Sequence, residues 1–157
     1  AGRFRELAGV VVSAGAANDG DLVALDAAGK LDASVLPAGV GVNTVSGTAT
    51  EALSANDLVN LHAGGVRKAD ATTEGREAHG FVKAAVANAA TATIYLPGDT
   101  ITGLSGLTQG ARYFLSATPG QITPTEPTTA GQVGQMIGVA SSATSIIFEP
   151  EEPVTRA

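Results

Sequence analysis

The stretch RYFLSATPGQIT, residues 112–123, decides the fold class because it places a short β-prone run, residues 112–115, just before a turn signal. Pro119 fixes φ and Gly120 tolerates a positive φ, which is what a tight turn between two strands requires. The same pattern recurs from Val42 onward at a spacing of roughly 8 to 15 residues, which is typical of a barrel or sandwich. The sequence therefore predicts an all-β fold, a small barrel or sandwich over residues 42–149, with less than about a fifth of the residues in helix.

The remaining β-prone runs share an enrichment in Val, Ile, Leu and aromatic residues. They are residues 42–45, 58–61, 81–82, 93–96, 135–139 and 145–148, with turn signals at Gly64-Gly65 and Pro97-Gly98-Asp99. Residues 83–90 are rich enough in Ala for a turn or two of helix, but Val86 and the Thr-Ala-Thr-Ile run that follows favour a strand.

Two segments of the chain resemble each other. DLVALDAAG (residues 21–29) and DLVNLHAGG (residues 57–65) are identical at six of nine positions. Each alternates apolar and polar residues before a glycine, which predicts a strand, a turn and a return strand. No third copy follows, so the pattern predicts a repeated hairpin and not a solenoid.

The composition predicts a thin core. Hydrophobic residues make up 44% of the chain, but 29 of its residues are Ala and only 4% are aromatic. A core of small side chains buries less apolar area per residue than one containing Phe and Trp. Packing between chains would compensate for this, and we expect a homotrimer.

Residues 1–41 differ from the rest and are predicted to form an extended N-terminal arm that contains the linker GKLDASVLP, residues 29–37. An Ala- and Gly-rich segment orders only where a partner offsets its conformational entropy. We expect a partner protein to bind the cationic cluster and first apolar strip, which are Arg3, Phe4, Arg5, Leu7, Val10, Val11 and Val12. Trimer contacts are expected at the second strip, which is Leu22, Val23, Leu25, Leu31, Val35 and Leu36. The alternative is that the arm wraps its own trimer and the β domain makes the partner contact.

The C-terminal residues 150–157 are predicted to leave the domain as an extended tail, because Pro150 and Pro153 have no N–H to give to a central strand.

Charge and cysteine content exclude several classes of function. The net charge is -6, which removes the basic face expected of a nucleic-acid-binding protein. The absence of Cys excludes disulfide scaffolds, thiolate zinc sites and thiol nucleophiles. No apolar run approaches the ~18 residues needed to span a membrane. We therefore expect no nucleic-acid and no membrane partner.

Residues that carry chemistry are scarce and scattered. His62 and His79 are 17 residues apart, and the further metal ligands would have to come from Asp57, Asp70 and Glu77. The segment Gly103-Leu104-Ser105-Gly106 lacks the Gly-x-Ser-x-Gly elbow of a hydrolase. Residues 18–21 (NDGD) suggest calcium, but Val23 stands where a further ligand is required. We expect no enzyme activity, no cofactor and no metal site.

The order of several motifs resembles proteins of tailed-bacteriophage virions. GKLDASVLP is similar to a linker found at junctions of fibre domains and in capsid decoration proteins. SANDLV (residues 54–59), GLTQGARYFLS (residues 106–116), PGQIT (residues 119–123) and GVA (residues 138–140) resemble a small β domain of the same proteins. Together these motifs span about residues 20–150.

The resemblance implies a structural virion protein, commonly trimeric and without enzyme activity. Tail fibres with such modules are usually longer than 157 residues. We therefore expect a capsid decoration (cement) protein on the outer capsid surface, assembled in the host cytoplasm, with the phage major capsid protein as its partner. A tail-fibre or tail-tip component is the first alternative. A polysaccharide-binding or hydrolytic virion domain is the second, and it would require paired carboxylates and an aromatic-lined groove.

Overall fold

The computed structural model describes residues 9–14, 22–27, 29–32, 35 and 43–157. The chain divides into two compact units, Ala1–Gly41 and Val42–Ala157, called here the arm unit and the β unit. The described residues contain no α-helix and the sheets are antiparallel, so the predicted all-β fold is confirmed.

The β unit contains twelve strands, most of them between two and five residues long. They are β1 (Thr44–Thr48), β2 (Leu58–His62), β3 (Gly65–Lys68), β4 (Gly80–Phe81), β5 (Thr91–Tyr95), β6 (Thr100–Thr102), β7 (Arg112–Leu115), β8 (Ile122–Thr123), β9 (Val133–Gly134), β10 (Met136–Ser142), β11 (Ser145–Phe148) and β12 (Val154–Thr155). Gly98 and Gly120 adopt φ values of 99° and 78° in two of the predicted turns, where a residue with a Cβ would be strained.

The first sheet has the strand order β1-β5-β4-β2-β3, and an isolated parallel bridge from Ala49 to Val66 in β3 brings its two edges together. The sheet thus curls toward a small barrel. At Gly47 in β1, an added Cβ would lie 2.5 Å from the Val66 side chain, so glycine allows this close approach. The barrel interior is filled by small and β-branched side chains, namely Ala49, Leu53, Val59, Val66, Val82, Ala92 and Ile94.

The second sheet has the order β6-β11-β10-β7-β8 and shares a larger core with the first. Leu58 and Phe81 reach this core from the first sheet, whereas their neighbours Val59 and Val82 point into the barrel. Phe81 meets Phe148 of β11 edge-on, with ring centroids 5.4 Å apart. The two sheets therefore form a sandwich in which β2 and β4 are buried on both faces.

The C-terminal residues return to the β unit, contrary to the tail predicted to leave it. Val154 and Thr155 form β12, which pairs antiparallel with β9. The N–H of Glu151 donates to the Met136 carbonyl at 2.9 Å, and Arg156 pairs with Glu126. Proline does exclude residues 150–153 from a strand, but the residues after Pro153 recover the N–H groups needed for pairing.

The arm unit contains an isolated parallel bridge between Val10 and Val23. Val10 N–H donates to the Leu22 carbonyl at 2.7 Å, and the Val10 carbonyl accepts from Ala24 N–H at 2.9 Å. A tight turn follows, in which Lys30 N–H donates to the Asp26 carboxylate at 2.8 Å. The turn of the first repeated segment is thus present, but the described residues around it form a bridge and not a hairpin, whereas the second copy forms the hairpin β2–β3.

Candidate interaction surfaces

The buried carboxylates of the β unit are held by structural contacts. Asp57 is 1% exposed, accepts a hydrogen bond from the Ser54 N–H at 2.7 Å and lies 3.1 Å from the Lys68 ammonium. Asp70 is 2% exposed and pairs with Arg76. Each charge sits beside an opposite charge, which offsets the cost of burying it. Both carboxylates stabilise loops next to β2 and β3.

The two histidines make local hydrogen bonds at separate places. Nδ1 of His62 accepts the Gly64 N–H at 3.1 Å at the β2–β3 turn, and Nδ1 of His79 accepts the Leu61 N–H at 3.0 Å beside β4. Among the described residues there is no group of three His, Asp or Glu side chains arranged to hold a metal ion.

Ser105 lines a groove of about 460 Å³ between the 103–107 loop and the end of β7. The groove is also lined by Asn56, Tyr113 and Gln121, and its lining includes no histidine and no carboxylate. The Tyr113 hydroxyl accepts the Thr108 N–H at 2.9 Å. Ser105 therefore lies beside neither a general base nor an acid that could orient one.

A second groove, of about 410 Å³, carries negative charge. Prolines 97, 150 and 153 form its walls, and Glu77, Glu151 and Glu152 contribute carboxylates. Gln135 is 4% exposed. Its side-chain oxygen accepts a hydrogen bond from the Ala78 N–H at 2.8 Å, and its side-chain nitrogen donates one to the Ala78 carbonyl at 3.1 Å. The side chain of Gln135 therefore fixes the groove wall.

Asp99 and Lys83 form an ion pair on the surface, with Nζ 2.7 Å from the carboxylate and 4.1 Å from the centroid of the Tyr95 ring. Partial burial acts to raise the pKa of Asp99. The hydrogen bonds from Lys83 and from the Thr100 N–H, together with the charge of Lys83, outweigh burial and hold that pKa below its ordinary value.

The predicted partner contacts lie in the arm unit, and the structure describes only some of them. Arg3, Phe4, Arg5, Leu7 and Leu36 lie outside the described residues. Val10, Val11 and Val35 are half-buried and Val12 is exposed. The bridge between Val10 and Val23 brings one residue of each predicted apolar strip together.

Four residues of the second predicted strip are unusually exposed for their size. They are Leu22, Val23, Leu25 and Leu31, whose exposed fractions are 56%, 56%, 57% and 49%. A single exposed apolar residue is ordinary, but four within ten positions concentrate exposed apolar surface in one short segment, which is called here the exposed apolar patch.

The backbone edge of β1 was not anticipated from the sequence. Register places Asn43 opposite Leu96, and the Leu96 N–H donates to the Asn43 carbonyl at 3.0 Å. Because bonding alternates along an antiparallel pair, Val45 and Gly47 bond to β5, whereas Thr44 and Ser46 turn their N–H and C=O groups outward. No residue that the structure describes forms a hydrogen bond with these four outward groups. The one available signal was an uncharged, proline-free TVSGT run.

The other edges of the two five-stranded sheets are blocked. On β3, the Val66 carbonyl accepts the Thr50 N–H, and the Lys68 N–H donates to Glu51. On β6, Asn56 donates to the Thr102 carbonyl, and Asp99 accepts the Thr100 N–H. Strand β8 is only two residues long, and Pro124, which has no N–H, prevents it from continuing. Blocking of this kind prevents an edge from pairing with another chain, so β1 is the exception.

Comparison with known proteins identifies no relative, since no family model, no curated protein and no solved structure matches the chain. In the part of the chain that the structure describes, no helix is long and apolar enough to cross a membrane.

Proposed function

We propose that this chain is a structural protein of a bacteriophage virion, a capsid decoration protein that binds the outer surface of the shell by contact alone. The observation that carries the proposal is the exposed apolar patch of the arm unit, Leu22, Val23, Leu25 and Leu31. The patch lies beside and within the GKLDASVLP segment that resembles linkers of virion proteins.

The energetics of the patch suit multivalent binding. Full burial of a Leu or Val side chain is worth about 1.5–3 kcal/mol, so a side chain that is half exposed retains about 1 kcal/mol for a partner. Four such residues per copy give weak binding, but several linked copies that engage neighbouring shell subunits bind far more tightly than one. A stabilising protein of this kind needs surface and no catalytic group.

The buried charges of the β unit support the same proposal. Asp57 and Asp70 are paired with Lys68 and Arg76, so these carboxylates hold the loops next to β2 and β3. Buried charges that serve the structure fit a protein that acts by contact.

Location in the virion tests the proposal against its alternative. Immunogold labelling of virions that contain this chain should place label over the whole head. Label confined to the tail would overturn the decoration function and favour the tail-fibre or tail-tip component.

A Leu22→Ser, Leu31→Ser double variant tests the exposed apolar patch as the docking surface. The variant should keep its β circular dichroism, and it should bind heads that lack the protein about tenfold more weakly than the parent chain in cosedimentation. Val154→Ser is the matched control, because Val154 is 56% exposed but lies in the β unit. A double variant that binds heads as tightly as the parent chain would assign the contact to another surface instead.

A further inference from the structure

Val23 and Leu25 carry backbone groups that form no hydrogen bond with the described part of the chain. The bridge to Val10 uses the carbonyl of Leu22 and the N–H of Ala24. Because successive residues of an extended chain turn their polar groups to opposite sides, Val23 and Leu25 turn theirs away from Val10. The N–H and C=O groups of Val23 and Leu25 form no hydrogen bond with any described residue. This segment therefore offers two donors and two acceptors at positions i and i+2.

The open edge of β1 offers the complementary set. Thr44 and Ser46 also present two N–H and two C=O groups at positions i and i+2. When the segments run antiparallel, Val23 lies opposite Ser46 and Leu25 lies opposite Thr44. This register forms two hydrogen-bonded pairs, four bonds in all, and leaves none of these groups unpaired.

The side chains support the same register. Antiparallel pairing puts Ala24 opposite Val45, and Val45 is 37% exposed at the rim of the barrel. Neither segment contains a charged residue or a proline, the two features that usually prevent edge pairing.

The repeated sequence is independent support. Residues 58–61 (LVNL) match residues 22–25 (LVAL) at three of four positions and form β2, which pairs on both sides within a sheet. Leu58 and Val59 are fully buried there, whereas Leu22 and Val23 are more than half exposed. The segment in the arm unit thus has the sequence of an internal strand, but it forms no sheet with the arm residues that the structure describes.

We infer that residues 23–25 of one copy add as a strand to the β1 edge of a second copy of this chain. A second copy supplies both complements, and pairing between copies adds the burial that the small side chains of the barrel core, such as Ala49 and Ala92, do not provide. The donor and acceptor surfaces are different, so the contact is head-to-tail, and it forms a ring when the rotation between copies closes. A trimer is the ring size that we expect. The inference concerns self-assembly in solution and does not depend on binding to a capsid.

Cysteine cross-linking tests the register, because the chain has no native Cys. Ala24 and Val45 would be a non-hydrogen-bonded pair, in which opposing Cβ atoms approach to about 4.5–5.5 Å and a disulfide can form. Ala24→Cys protein mixed with Val45→Cys protein and oxidised should give a disulfide-linked dimer. Mixing Ala24→Cys with Ile147→Cys is the control, since Ile147 is 40% exposed on the other sheet.

We expect at least about tenfold more cross-linked dimer from the Ala24–Val45 mixture than from the control, since directed strand pairing holds the two positions together. The double variant should form covalent oligomers up to the ring. Equal yields from the two mixtures would overturn the inference. So would a double variant that forms only an internal disulfide, since that outcome means the arm adds to its own β1.

A backbone substitution provides a second measurement. Ser46→Pro removes an outward N–H and should shift the protein to monomer in light scattering, whereas Ser46→Ala retains that N–H and should leave the oligomer intact. The Ser46→Pro chain must keep its β circular dichroism, because Ser46 donates no bond to β5. A Ser46→Pro protein that stays oligomeric would exclude β1 as the acceptor edge.

Discussion

The two copies of the repeated segment have nearly the same sequence and very different surroundings. Leu58 and Val59 in β2 are fully buried between two cores, whereas Leu22 and Val23 in the arm unit are each 56% exposed. β2 has β3 and β4 as neighbours, and the described arm residues have only the bridge at Val10. The same apolar pattern is thus a core element in one place and a contact surface in the other, because burial depends on which strands lie alongside.

The largest expected effect comes from replacing the first leucine of each repeated segment, Leu58 or Leu22, by alanine. Leu58→Ala should lower the free energy of unfolding by about 2–5 kcal/mol, because it removes buried methyl groups and leaves a cavity. Leu22→Ala should change it by less than about 0.5 kcal/mol, as exposed sites do. Urea denaturation of the two variants, followed by circular dichroism, measures both. Comparable losses at the two positions would show that the arm copy is buried in the free protein.

A smaller effect is expected from making the two copies more alike. Asn60 is 1% exposed, donates to the Glu77 carbonyl at 2.8 Å and accepts from Arg67 Nε at 3.0 Å. Asn60→Ala, which creates the arm sequence LVAL within β2, should cost about 1–3 kcal/mol because both partners lose a hydrogen bond. The reciprocal Ala24→Asn variant is the control and should unfold at the same urea concentration as the parent chain. If the urea midpoint of Asn60→Ala equals that of the parent chain, the Asn60 side chain does not stabilise β2.

The smallest effect is expected away from both copies, at the ion pair of Asp99 with Lys83. The pKa of Asp99 is lowered in the folded state, so its contribution is present above the unfolded-state pKa and is lost as the pH falls through the folded-state pKa. Asp99→Asn should cost less than about 1 kcal/mol at pH 7, since the pair is partly exposed to solvent. Thermal unfolding at pH 7 and pH 2 measures the difference between parent and variant. A difference that persists at pH 2 would mean that packing, not charge, is responsible.

The strand positions were predictable where apolar runs met strong turns. Residues 112–115 and 145–148 were predicted at the bounds that the structure shows, since Pro119-Gly120 follows the first run and Pro150 follows the second. Short strands such as β9 and β12 were not predicted, because two residues carry no periodic signal and depend on a partner far along the chain.

The contact surfaces were predictable in part. The apolar strip around Leu22 and Leu25 was recognised from composition, and its side chains are exposed. The open edge at Thr44 and Ser46 was not recognised, because an edge is defined by which strand is missing beside it. The blocking of β3 by Thr50 and Glu51 was equally hidden, since it depends on how the chain turns after β1.

The sequence by itself determined that the chain is all-β and where its tight turns fall, because strand propensity and glycine or proline geometry act over a few neighbouring residues. Only the tertiary structure decided which of the two repeated segments becomes an internal strand, which sheet edge stays open and where the C-terminal residues pair. Those outcomes rest on hydrogen bonds and burial between residues distant in sequence, such as Ala49 with Val66 and Val133 with Thr155. A strand pattern specifies what a segment can pair with, and the assembled sheets determine whether a partner is present.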